Sequence, residues 1–75
     1  MRMSGKNYPS RNMEKILKNN NYVYIRSNGD HHIYSNGSNK ITITVPMMNK
    51  MIVRRLIKEN NLKVEDKFKG ALQLN

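Results

Sequence analysis

The chain has no cysteine, which excludes a disulfide framework, and its only two histidines cannot by themselves close a four-ligand zinc site. Those histidines, His31 and His32, are neighbours. Adjacent residues of a strand point to opposite faces, so the two do not readily grip one ion. Acidic residues are also scarce: Glu14, Asp30, Glu59, Glu65 and Asp66 are scattered, and no pair of carboxylates offers acid–base chemistry. No apolar run is long enough to span a bilayer, and no secretory apolar segment is visible. The basic residues are not gathered on one long amphipathic helix with aromatic anchors, which argues against a membrane surface. By exclusion the sequence reads as a cytoplasmic protein without metal, cofactor or membrane attachment.

What is present in excess is positive charge. Fourteen lysines and arginines against five acids give +9 over 75 residues. A balance of that size in so short a chain points to a polyanion, nucleic acid first, or to an acidic protein partner. At this length there is one domain, with a core that supplies only about 3–5 kcal/mol.

Residues 1–9 carry Arg2, Lys6, Gly5 and Pro9 with no apolar period and read as a mobile basic arm; residues 10–75 read as the domain. Ser10 offers an N-cap oxygen, and Met13, Ile16 and Leu17 follow the i, i+3, i+4 stripe of a short helix that Asn19-Asn20-Asn21 ends. Glu14 near its start and Lys15 and Lys18 toward its end complement the helix dipole. Tyr22 to Arg26 alternates as a first strand, with Val23 and Ile25 expected on the core side and both tyrosines outside. Ser27-Asn28-Gly29-Asp30 turns the chain, His31 to Ser35 returns, Asn36-Gly37 lies in the next connection, and Lys40 to Val45 forms a third strand. In that strand Ile41, Ile43 and Val45 share the buried face, and Pro46 stops the ladder. Asn49 caps a second helix with a Met48–Val53 staple and a core stripe of Ile52, Val53, Leu56 and Ile57. Its other surface holds Lys50, Arg54, Arg55 and Lys58, a basic face able to follow a phosphate backbone. Val64, Phe68, Ala71 and Leu72 then suggest a short tail helix with Glu65 and Asp66 in its first turn.

Chemistry concentrates in Asn28-Gly29-Asp30-His31-His32-Ile33-Tyr34. Histidine, with an unperturbed pKa of about 6.5, both takes and gives protons near neutrality. Gly29 and Asp30 form the turn that positions the pair. Strand parity groups His31 with Ile33 on the edge of the core side and sends His32 and Tyr34 the other way.

The order α-β-β-β-α with a three-stranded antiparallel sheet and a short helical tail is an α+β layout of the double-stranded-RNA-binding-domain type. Pro9-Ser10-Arg11, the Gly29-to-Tyr34 turn, Thr42 to Pro46, Asn49 and Leu56-Ile57-Lys58 together resemble the HicA family of toxin–antitoxin mRNA interferases, over roughly Tyr8 to Phe68. The resemblance implies a metal-independent endoribonuclease acting on mRNA and held by an acidic HicB-like antitoxin, monomeric when free and hetero-oligomeric with that partner. It places the catalytic histidine at His31, where Asp30 stands in for the family's usual serine. Arg26, Lys50, Arg54, Arg55 and Lys58 are the candidate RNA-binding residues. The alternative is a noncatalytic RNA-binding module of the same fold; a domain that binds only an acidic protein is the third reading.

Overall fold

The computed structural model describes residues 7–73. Helix α1 (Ser10–Asn19) buries Met13, Ile16 and Leu17, the stripe their spacing predicts. Its start differs from expectation. Pro9 occupies the N-cap position and has no side-chain acceptor to offer; Ser10, expected there, is the first helical residue, its hydroxyl donating to the Thr44 carbonyl and its amide to the Pro46 carbonyl at 2.9 Å. Glu14 lies beyond the first turn, which holds no acidic residue. Helix α2 (Lys50–Glu59) is capped as expected, Asn49 Oδ1 accepting the Met51 amide at 2.8 Å. Val53 and Ile57 are buried and Leu56 packs partly, but Ile52 is 42% exposed. The stripe centres between Val53 and Ile57, and Ile52 stands roughly a third of a turn away from that centre.

Both helices end by the same device. Asn21 and Asn61 take left-handed φ values of 69° and 53°. The Tyr22 amide returns to Leu17 at 3.0 Å and the Leu62 amide to Ile57 at 2.9 Å, while the Asn21 and Asn61 amides reach Lys18 and Lys58. This is the Schellman arrangement, with asparagine where glycine is usual and a buried apolar residue directly after it. Asn20 and Asn60 add side-chain bonds back to Ile16 and Leu56.

Strands β2 (Val23–Asn28), β3 (His31–Ser35) and β4 (Lys40–Thr44) form an antiparallel sheet in the order β2-β3-β4. In β4, Ile41 and Ile43 are buried between exposed Thr42 and Thr44, as alternation requires, and the strand stops one residue before Val45. The face assignment in the other two strands is corrected. Tyr34 is 2% exposed and Tyr22 3%, whereas Val23 and Ile25 are 60% and 49% exposed. Register settles the rest: Tyr24, Tyr34 and Ile41 share the core side with His32 and Ile43, and Ile33 shares the open side with Arg26, Thr42 and His31. A register shift between Tyr24 and Arg26 leaves Ile25 without a cross-strand partner and undoes a simple alternation in β2. The large apolar area of tyrosine also makes it a core residue wherever helices cover it.

A two-stranded ribbon, β1 (Asn7–Pro9) with β5 (Met47–Asn49), was not legible in the sequence. It buries Tyr8 and Met48, so residues 7–9 belong to the fold rather than to an arm. Pro9 favours extended backbone in the residue before it, which suits Tyr8 to a strand. The expectation for residues 1–6 lies outside the described residues. Helix α3 (Asp66–Leu72) docks through Phe68 and Leu72, with Val64 packed beside them and Ala71 exposed. The fold is therefore α+β, with the expected helix–three strands–helix order and helical tail, plus the ribbon.

Candidate active site

The β2–β3 hairpin closes through Gly29-Asp30. Gly29 has φ +63°, a conformation side chains rarely adopt, and open space surrounds its Cα, so backbone freedom rather than crowding selects glycine. A glycine first in a two-residue loop followed by a residue of negative φ is the II′ pattern that matches strand twist. The Asp30 carbonyl takes the Val45 amide at 2.9 Å, tying the turn to the end of β4. The turn thus places His31 and His32 at the start of β3.

The two histidines then part. His32 faces α1, and its Nδ1 lies 2.8 Å from Glu14 Oε2, with side chains 29% and 22% exposed. A carboxylate accepts only, so the proton of this bond sits on Nδ1 and Nε2 is left as the basic nitrogen. Among the described residues nothing hydrogen-bonds Nε2. The Tyr24 ring meets His32 edge-on at 5.5 Å and Tyr34 at 5.8 Å, which further fixes the imidazole plane. Tyr34 is held protonated: burial, then the neighbouring Glu14 charge, pushes its phenol up to about 12.

A cleft of about 480 Å³ opens where these groups meet. One wall is the start of α1, with Pro9, Ser10, Arg11 and Glu14; His32 forms another, and Val45, Pro46 and Met47 close it. It joins an imidazole, a carboxylate and a guanidinium, a set able to move a proton beside a bound anion.

His31 lies on the open face of the sheet, exposed, across from Asn28 and Thr44, and does not line the cleft. Arg26 shares that open face beside Ile33. The α2 cations also stand apart from the cleft. Arg54 reaches Gln73 Oε1 at 3.3 Å and the Leu72 carbonyl at 3.5 Å, Arg55 pairs loosely with Glu59 at 3.8 Å, and Lys50 and Lys58 lie on the same helix. Sequence reasoning missed Glu14 and Arg11 as site residues. Glu14 pairs with a residue on another element, which no local pattern reveals, while Arg11 already stood in the Pro9-Ser10-Arg11 segment that carries the family resemblance. No three His, Asp or Glu side chains cluster as metal ligands among the described residues, and no helix there is long and apolar enough to cross a membrane.

The fold and cleft define a small basic α+β domain with a histidine–carboxylate pair at its cleft. A family model described as the HicA toxin of bacterial toxin–antitoxin matches residues 10–63, and the chain belongs to that family. It is thus a toxin whose counterpart is an antitoxin. No curated protein and no solved structure is significantly similar.

Proposed function

We propose that this toxin is an endoribonuclease that cleaves mRNA in the cytoplasm without a metal, using the cleft histidine as its proton-transfer group, and that an acidic HicB-like antitoxin silences it. The observation that carries this reading is the His32–Glu14 pair in the cleft of a HicA-family chain. RNA contains its own nucleophile. The ribose 2′-hydroxyl attacks the adjacent phosphorus while His32 Nε2 takes its proton, and the 5′-oxygen leaves with a proton returned from a general acid. Glu14 holds the tautomer in which Nε2 is free, and Arg11 on the cleft wall faces the charge that grows on the phosphorane.

The resemblance by itself points to His31. The cleft favours His32, because His31 has no carboxylate partner among the described residues and stands on the far face. Cleavage of an RNA substrate by His31→Ala and His32→Ala, with melting curves on both, decides between them. His32→Ala should stay folded and lose about 10²- to 10⁴-fold in rate, the range for a positioned acid–base group, whereas His31→Ala keeps most activity. Parent cleavage should persist in excess chelator. If His31→Ala is the inactive folded variant, the assignment returns to His31. If both cleave like the parent, or the parent binds RNA without cleaving it, the noncatalytic RNA-binding reading takes over.

A further inference from the structure

We infer that three cations on one face of α1, Arg11, Lys15 and Lys18, form a track that holds the phosphate backbone of single-stranded RNA and leads it into the cleft. This rests on the ribonuclease reading and adds the surface by which substrate arrives. All three residues are exposed. At 3.6 residues per turn, positions i, i+4 and i+7 fall within an arc of roughly 60°, and they span roughly 10 Å along the axis. That arc lies opposite the buried Met13, Ile16 and Leu17.

A basic helix face is often mere solvated surface, and three features set this one apart. First, it is continuous with the cleft, since Arg11 lines it beside His32. Second, it is uncompensated: Glu14, the one acid on α1, is turned to His32, and no ion pair among the described residues involves Arg11, Lys15 or Lys18. On α2, among the described residues, only Arg55 makes an ion pair, with Glu59, and Arg54 is engaged by the Leu72 carbonyl and Gln73, but none of that helix's cations lines the cleft. Third, the macrodipole explains Lys18, in the last turn, but disfavours a cation in the first turn, where Arg11 stands. A guanidinium there, on the wall of the cleft, fits a phosphate ligand.

The test measures the salt dependence of binding to a fluorescein-labelled, 2′-O-methylated single-stranded RNA of about 15 nucleotides, which the enzyme cannot cleave because its nucleophile is blocked. The parent is compared with Arg11→Gln/Lys15→Gln/Lys18→Gln and with Arg54→Gln/Arg55→Gln, each checked by melting curve. Removing three phosphate contacts should lower the slope of log affinity against log salt by about 2, at about 0.7 per contact for a single strand. The α2 variant should keep the parent slope. An α1 variant with the parent slope, or an equal loss in the α2 variant, overturns the track while leaving the ribonuclease reading intact. A parent that binds no RNA even at low salt overturns both. Loss of antitoxin binding in the α1 variant with an unchanged RNA slope would assign the face to the protein partner and overturn the inference.

Discussion

The two ends of helix α1 solve the same physical problem in opposite ways. At its C-terminus the Ile16, Leu17 and Lys18 carbonyls are answered from within the chain. Asn20 Nδ2 donates to Ile16 at 2.7 Å and to Lys63 at 2.9 Å, and Asn20 Oδ1 accepts the Lys63 amide at 2.8 Å. Asn39 Nδ2 bridges Tyr22 and Asn60 nearby. At the N-terminus no side chain caps the helix, an arginine stands in the first turn, and the cleft opens beside it. One end is closed by its own asparagines; the other is tied by Ser10 to the Thr44 and Pro46 carbonyls and borders the cleft with Arg11 and Glu14. On the proposed function, stability and catalysis are separated by the length of a ten-residue helix.

Substitutions at the two ends should therefore fail in different currencies. The largest effect is expected at the open end. Glu14→Gln removes the charge that orients His32, so kcat should fall about 10- to 100-fold, a part of the roughly 10²- to 10⁴-fold a positioned acid–base group supplies, with KM little changed. Glu14→Asp keeps a carboxylate and should recover part of the rate. Equal activity of Glu14→Gln and the parent would reduce the pair to a structural contact.

A second effect is visible only at alkaline pH. Tyr34 titrates at about 12 in the fold against 10.0 unfolded, so the unfolded chain loses its proton first as pH rises. The stabilisation is complete below pH 10 and is lost between pH 10 and 12, a change of about 2–3 kcal/mol. Unfolding of the parent and Tyr34→Phe across that window should differ by this limb, and parallel curves would contradict it.

The closed end should show the converse of Glu14. Asn20→Ala removes three hydrogen bonds, two of them exposed to water, which costs about 0.5–1.5 kcal/mol. In a domain of this size that lowers Tm by about 4–8 °C per kcal/mol, with the cleavage rate of the folded protein unchanged. A loss of rate without a loss of Tm would mean that the two ends are coupled.

The same contrast explains what could be read from the sequence. Local devices were legible: the Asn49 cap, the asparagine helix ends, the Gly29-Asp30 turn and the Ile41/Ile43 alternation each depend on residues within a few positions. Their partners in space were not. Glu14 meets His32 across 18 residues, and the Tyr8–Met48 pairing joins two three-residue strands too short to show a period. The face of β3 was misjudged for a different reason. Val23 and Ile25 look more apolar than tyrosine, but Tyr34 lies where the helices cover the sheet, and a register shift in β2 breaks the count from one strand to the next. His31 and His32 therefore could not be distinguished by parity alone.

The β1–β5 ribbon makes the cleft a non-local feature of the chain. Pro9 pairs with Met47, and both line the cleft. The cavity is thus closed by two segments nearly forty positions apart, a contact whose chain-closure entropy must be met before any part of it forms. The histidine hairpin, by contrast, closes across the two residues Gly29 and Asp30. The cleft therefore depends on the whole span from β1 to β5, and a change far from His32 that weakens the Tyr8–Met48 pairing reaches the site through its wall.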